Sequence, residues 1–311
     1  MSGPIVSARL KADLSLLVVA IIWGSAFVPC RIAAHEVGTF IFNGLRFLIG
    51  AAALLICVRP TWRGVTRAEL WGGGLIGLIA FSGSALQQAG LQFTTAGKAG
   101  FITGLYVVIV PILLALVWRH WPHWTAWAAS GLAAMGMFLL SAVETMTLSL
   151  GDGLELVGAV MWALHVITIS RLANKVDVMR LALVQFVACG LLNMLVGVVV
   201  EPHAPSEFLG VWWAILYTGV FSIGVAYTLQ IMGQRHAPPA DAAIILSMES
   251  VFAALTGWLL LSEQLSPLQG FGCGLMLAGM LLAQVRRPSE SKVFSAAENS
   301  QSGAHPRRYD L

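Results

Sequence analysis

Residues 131–137 read Gly-Leu-Ala-Ala-Met-Gly-Met, and residues 274–280 read Gly-Leu-Met-Leu-Ala-Gly-Met. Gly131, Leu132, Gly136 and Met137 thus return, in register, as Gly274, Leu275, Gly279 and Met280. Elsewhere in the chain Trp23 returns as Trp162, and Arg46-Phe47 as Gln185-Phe186. Gly77 and Gln88 return as Gly219 and Gln230. The offset drifts from 139 to 143 across the copy, as a few loop insertions would cause. Apolar sequence matches itself easily, so the order of the matches carries the signal. The chain writes one pattern twice.

The solvent of that pattern is lipid. The chain is 58% hydrophobic, with mean hydropathy +0.81 and 11% charged residues, where a soluble domain averages about 25%. A bilayer core of about 30 Å needs about 20 apolar residues of helix. Ten segments qualify, near 14–34, 38–58, 71–91, 97–118, 124–142, 153–172, 180–200, 210–233, 239–261 and 267–285. Arg9 and Lys11 before an apolar run resemble a signal peptide, but the run reaches span length without a clear small-residue cleavage site. It reads as a retained first helix. Residues 286–311 are polar and rich in Ser, Arg and Glu, and are expected to form a disordered tail.

Charge placement tests the span count separately. Lys and Arg accumulate in cytoplasmic loops. One set of connections holds Arg9, Lys11, Arg59, Arg63, Arg67, Arg119, Arg171, Lys175, Arg180 and Arg235, with Arg286, Arg287, Lys292, Arg307 and Arg308 in the tail. The alternating set holds only Lys98 among basic residues, beside Glu36, Glu144, Asp152, Glu155, Glu201, Glu207 and Glu263. Both termini are therefore expected in the cytoplasm. The net charge of +3 describes membrane orientation, not nucleic-acid binding. The expected fold is all-α and polytopic: ten transmembrane helices as two inverted five-helix repeats, 1–142 and 143–285, before the tail at 286–311. A duplicated odd-span unit sits upside down the second time, the usual architecture of secondary transporters.

Three charges lie within spans: Arg31, Arg46 and Glu249. Each costs about 2.5–3.5 kcal/mol at a helix centre on insertion scales, so each marks a function or a structural lock. Glu249 is the deepest. It reads as a proton-coupling carboxylate or a counter-ion for a cationic solute; the bland alternative is a hydrogen-bonded carboxyl joining two helices. The offset of 143 places Tyr106 at the equivalent position, and pseudo-symmetry would bring both to the central interface. Arg31 reads as snorkelling to the headgroups or as a gate. Arg46 reads as a structural ion pair or a bond to helix-end carbonyls, and its equivalent is the neutral Gln185. His165 follows Trp162 by three residues, on the same helix face; it is a bundle hydrogen-bonder, a proton relay or a solute ligand. Gln87, Gln88 and Gln92 on the third segment, and Tyr227, Gln230 and Gln234 on the eighth, favour a polar-lined cavity over random glue.

Gly73-x-x-x-Gly77, Gly100-x-x-x-Gly104 and Gly270-x-x-x-Gly274 permit close helix packing. Pro111 is positioned to kink the fourth segment, and Pro238-Pro239 marks the start of the ninth. Cys30, Cys57, Cys189 and Cys273 lie in apolar runs without metal-ligand spacing, and no cofactor or metal is expected. Ser82-Gly83-Ser84 with His165 offers a nominal nucleophile and base, but without oxyanion-hole context.

The chain resembles the EamA-type permeases of the drug/metabolite transporter superfamily over residues 14–285. The resemblance rests on Trp23-Gly24-Ser25-Ala26-Phe27, Leu45-Arg46-Phe47-Leu48 and Thr95-Ala96-Gly97-Lys98-Ala99-Gly100-Phe101-Ile102 with Pro111. Its strongest strings are Met248-Glu249-Ser250-Val251-Phe252-Ala253-Ala254-Leu255 and Gly257-Trp258-Leu259-Leu260-Leu261-Ser262-Glu263. Ser250 stands where the family often has proline, and Ser262 where it commonly has glycine. The resemblance implies a central cavity lined by helices one, three, four, six, eight and nine. It implies small metabolites as substrates, often amino acids and usually exported. The expectation is a bacterial inner-membrane exporter cycling by alternating access, with Glu249 as the residue through which protons would couple. Import by the same fold and an intramembrane hydrolase are the alternatives. Candidate solute or coupling residues are Glu249, Tyr106, His165, Trp23, Trp162, Gln88, Tyr227 and Gln230; candidate gating or structural charges are Arg31 and Arg46. Glu263 matches a family position at the end of the ninth helix and is expected to cap it or to make an outer-surface contact.

Overall fold

The hydrocarbon core demands that every backbone polar group be satisfied within its own element, and a helix does this. The computed structural model describes residues 4–58, 64–94, 96–141, 149–201, 205–261 and 266–284, and every regular element among them is helical. Arg59, Arg63, Glu144, Ser262, Glu263, the join at 142/143 and the 286–311 tail lie outside the described residues.

Ten helices follow in order. They are α1 (Pro4–Glu36), α2 (Thr39–Val58), α3 (Arg67–Gly90), and α4 in two pieces, Ala96–Gly104 and Tyr106–Leu116. Then come α5 (Trp124–Ser141), α6 (Leu150–Leu172) and α7 (Val178–Val200). Next, α8 runs as Pro205–Tyr217, a π-helical stretch Thr218–Tyr227, and Thr228–Gln234. Last, α9 is split into Pro239–Leu246 and Glu249–Leu261, and α10 is Pro267–Gln284. Eight of the ten contain stretches long and apolar enough to cross a membrane. The apolar stretches of α5 and α10, Trp124–Leu140 and Pro267–Ala283, are shorter, at the low end of the range of about 17–25 residues that spans.

Local chemistry sets where several helices begin. Thr66 and Glu69 form a capping box at α3, and Ser149 and Asp152 form another at α6, so both start earlier than hydropathy predicts. Helix α1 also starts before residue 14, and Arg9 ties its first turns to Asp13 at 2.9 Å and to Asp241 of α9 at 2.8 Å. The N-terminus of α2 is capped from a distance: Glu201 accepts from Phe40 N–H at 2.8 Å and Ile41 N–H at 2.9 Å. A carboxylate there answers both the orphan donors and the helix dipole. Glu201→Ala leaves those donors without their acceptor, and thermal unfolding of the purified protein is expected to register a loss of about 1–3 kcal/mol.

The helices pair in a pattern that repeats when each is replaced by the one five places along. The most extensive contact is α5 with α10. Helix α2 packs along α7; α3 along α7 and α2 along α8; α3 along α6 and α1 along α8; α4 along α6 and α1 along α9. The doubled glycine motif lies in the first of these contacts. A methyl added at Gly136 would meet the Gly272 carbonyl oxygen at 2.5 Å, and one at Gly279 the Ala129 carbonyl oxygen at 2.8 Å. Gly131 and Gly274, the first glycines of each copy, have nothing within 4 Å. Gly73 and Gly77 pack as expected, against Val184 and Ala188. The Gly270-x-x-x-Gly274 pair does not: neither glycine meets a neighbour within 4 Å, and Gly272 and Gly279 make the close approach instead.

Three helices are irregular, and proline position explains none of them simply. The break in α4 falls at Leu105, where the backbone tightens to a Leu105 N–H to Ile102 C=O bond of 3.2 Å. That is six residues before Pro111, where the kink was expected. The break in α9 falls at Ser247-Met248, ahead of Ser250, whose hydroxyl reaches the Gly100 carbonyl at 3.2 Å. In α8, Thr218 and Thr228 bracket the π stretch and return their hydroxyls to the Ala214 and Gly224 carbonyls, each at 2.7 Å.

Candidate functional site

Irregular backbone inside a membrane protein is tolerated where it lines a cavity, and all three irregularities converge on one. Tyr106 opens the second piece of α4, and Glu249 opens the second piece of α9; both line the same cavity. Ser222, Ile223 and Tyr227 bring the π stretch to its wall. Helix α1 contributes Trp23, Ala26, Phe27 and Cys30, one face at helical spacing. Helix α3 adds Gln87, Gln88 and Leu91, and α6 adds Trp162, His165 and Val166. The volume is about 70 Å³, against roughly 10–15 Å³ for one water on this measure. The space suits a compact solute.

All eight candidate residues therefore meet. Glu249, Tyr106, His165, Trp23, Trp162, Gln88, Tyr227 and Gln230 surround one cavity. Tyr227 is its aromatic hub, 4.9 Å from Trp23, 5.8 Å from Phe47 and 6.3 Å from Trp162 between ring centroids. His165 meets Tyr227 edge-on at 5.5 Å and Trp162 at 5.6 Å. The Tyr106 hydroxyl neighbours the Glu249 carboxyl, yet finds no hydrogen-bond partner of acceptable geometry.

The two gating candidates separate. Arg31 lies beyond the cavity lining, half-buried, without an ion pair among the described residues. Arg46 lines the cavity, and among the described residues it forms neither the expected ion pair nor a carbonyl bond. Its guanidinium reaches the Cys30 sulfur at 3.2 Å and lies 5.2 Å and 5.7 Å from the Phe42 and Phe47 ring centroids. A thiol is a weak acceptor, and Nε has no protein partner. A serine–histidine pair does not form either. Ser82 and Ser84 bond the carbonyls of Leu78 and Phe81, while His165 Nε2 is unpartnered.

The aligned residues have divided their roles. The Trp23 indole donates to the Ser222 carbonyl at 3.1 Å, and the Gln88 amide donates to the Cys30 carbonyl at 3.0 Å. Their second-copy equivalents keep their polar atoms unpartnered: Trp162 Nε1 and both amide atoms of Gln230. Tyr106 Oη, His165 Nε2 and Arg46 Nε join them. Five buried side chains with unpartnered polar atoms thus line one cavity. Each buried orphan costs about 1–3 kcal/mol, so a polar solute that satisfies several gains affinity directly.

Sequence reasoning missed Thr103 and Cys30 on the wall. The first was available from the repeat: the offset of 143 that pairs Tyr106 with Glu249 pairs Thr103 with Leu246, and both line the cavity. Glu155 was read as an outer-loop charge and is fully buried.

A polytopic helical membrane protein with a polar cavity at broken helices has the build of a secondary transporter. The model of the EamA-like transporter family matches this chain twice, at residues 10–142 and 149–284. The chain belongs to that family. It is similar to an uncharacterized transporter of Archaeoglobus fulgidus, 34% identical over 278 residues that cover 89% of this chain and 87% of the relative. It is also similar to the uncharacterized transporter YwfM of Bacillus subtilis, at 28% identity over 93% of this chain and 98% of that one. The uncharacterized inner membrane transporter YedA of Escherichia coli K12 is 26% identical, over 86% and 89%. A solved crystal structure superposes with a TM-score of 0.72 at 19% identity, covering 88% of this chain and 96% of its own, a likeness of fold.

Proposed function

We propose that this chain carries a small zwitterionic metabolite, such as an amino acid, through the cavity by alternating access, with Glu249 coupling transport to protons. The carrying observation is the set of unpartnered polar atoms on Tyr106, Trp162, His165, Gln230 and Arg46 around one space. Arg46 and Glu249 face that space with opposite charges, suited to the carboxylate and ammonium ends of one solute. The aromatic surface of Trp23, Trp162 and Tyr227 suits the ammonium through cation–π attraction. In this reading the halves 1–142 and 143–285 are inverted five-helix units, supported by the five-place symmetry of the helix pairings. The protein sits in an inner membrane with both termini cytoplasmic, a reading supported by the segregation of Lys and Arg. In this orientation the Arg9 bonds to Asp13 and Asp241 tie α1 to α9 at the cytoplasmic end.

Export is proposed from the family resemblance. The test is a metabolite-screened thermal-shift assay on the purified protein, followed by flux of the hits in proteoliposomes. Zwitterionic hits that stabilise the protein and cross the membrane support the reading. Stabilising solutes that never cross, or flux confined to solutes without a charge at either end, contradict it. Uptake against the exporting direction reverses the direction alone.

A further inference from the structure

Above the cavity, at the end of the bundle where α4 and α6 begin, lies a second buried carboxyl. Glu155 is fully buried. One oxygen, Oε2, accepts the Thr103 hydroxyl at 2.7 Å; the other, Oε1, is buried without a partner. Thr103 in turn accepts the Gln87 amide at 3.3 Å, and Thr103 and Gln87 line the cavity. The fold holds this carboxyl close to the end of α3: a methyl at Gly90 would lie 2.9 Å from Oε1.

The surroundings do not neutralise it. Asp152, one turn earlier on α6, pairs with Lys98 of α4 at 2.6 Å and takes the Thr94 hydroxyl at 2.9 Å. From α3 the neighbours are Gln87 and Gly90. His165 lies farther along α6; Tyr106 of α4, Tyr227 of α8 and Glu249 of α9 lie around the cavity. Asp241, on the first piece of α9, is engaged with Arg9. Glu155 makes no ion pair among the described residues. A buried carboxylate without a cation is costly, and a proton on Oε1 removes that charge. The Thr103 bond to Oε2 stays as it is.

We infer that Glu155 is a second proton-binding site, joined to the solute cavity through Thr103 and Gln87. It rests on the transporter reading only for its use: protonation there and at Glu249 would place acids both at one end of the bundle and at its centre, as proton relays in membrane proteins are arranged.

Infrared difference spectroscopy of the full-length protein in liposomes tests this without any solute. The carboxylic-acid C=O absorbance that appears on acidification is expected to lose one component in Glu155→Gln and a different one in Glu249→Gln. The double variant loses both. Glu155→Asp keeps a component at a shifted frequency, and Thr103→Val shifts the Glu155 component, because a hydrogen-bond donor to the acid is gone. A Glu155→Gln spectrum that superposes on the wild type at every pH overturns the inference. So does a component that follows sodium at fixed pH, which would make this a metal-cation site. If Glu155→Gln does not fold, an unshifted Thr103→Val spectrum overturns it equally. These outcomes leave the reading of the central cavity standing, since that reading fails only on binding and flux.

Discussion

Glu249→Gln abolishes flux driven by a pH gradient, to the level of protein-free liposomes, while the protein still folds and still exchanges solute. The substitution keeps the shape of the side chain and removes its ability to take and release a proton. Glu249 has no ion pair to break among the described residues, and its backbone sits at the start of the second piece of α9. The bundle therefore loses no structural bond. What it loses is the one acid at the centre of the cavity, beside Tyr106. Gradient-driven flux and counterflow, measured on the same proteoliposomes, check this. Equal gradient-driven flux in variant and wild type removes Glu249 from the coupling step.

Gly24→Leu gives a large structural loss. At this position α1 lies directly on the break in α9. A side chain there would begin 2.5 Å from the Glu249 carbonyl oxygen, 2.6 Å from Phe252 Cβ and 2.8 Å from the Ala253 nitrogen. Two of these are backbone atoms that no rotamer change can move, so the helices must separate. Overpacking of this kind costs about 1–3 kcal/mol and occasionally more. It also displaces Glu249 and Trp23, so solute-induced stabilisation is expected to vanish with it. Gly131→Leu is the control: nothing lies within 4 Å of Gly131, and substitutions free of such contacts stay within about 0.5 kcal/mol. Thermal unfolding with and without a solute hit separates the two variants. Equal midpoints would show that α1 does not pack on α9 at Gly24.

The helices were legible because lipid imposes a length and an apolar composition, and the charged connections interrupt it. What the sequence left dark is where those helices stop being regular. Both sides of Ser247-Met248 are equally apolar, the apolar run continues past Leu105, and no residue in Thr218–Tyr227 announces a π stretch. Those irregularities depend on tertiary partners, such as the Trp23 indole on the Ser222 carbonyl. The glycine motifs show the same limit. Spacing tells that Gly270 and Gly274 share a helix face, not that a neighbour lies against it.

The candidate site was more legible than its chemistry. Matching the two copies picked out Tyr106 with Glu249, Trp23 with Trp162 and Gln88 with Gln230, and the six share a cavity. Which member of each pair is tied down and which is unpartnered follows from packing alone. Arg46 illustrates it: a buried arginine invites an acidic partner, and this one meets a thiol and two phenyl rings. Glu155 misled for the opposite reason. Its place in the first turns of a helix suggests a surface charge, but the small residues Gly90 and Gly151 let α3 and α6 close over it.

When solute occupies this cavity, Cys30 reports on it directly. Its thiol lies in the cavity wall against Arg46, whereas Cys57 is exposed on the outside of the bundle. Mixed-disulfide formation with a small methanethiosulfonate, which releases methanesulfinate, followed residue by residue by mass spectrometry, is predicted to slow at Cys30 and not at Cys57 when a transported solute is present. Unchanged modification of Cys30 at saturating solute would contradict the account, because the solute would then be crossing by another route.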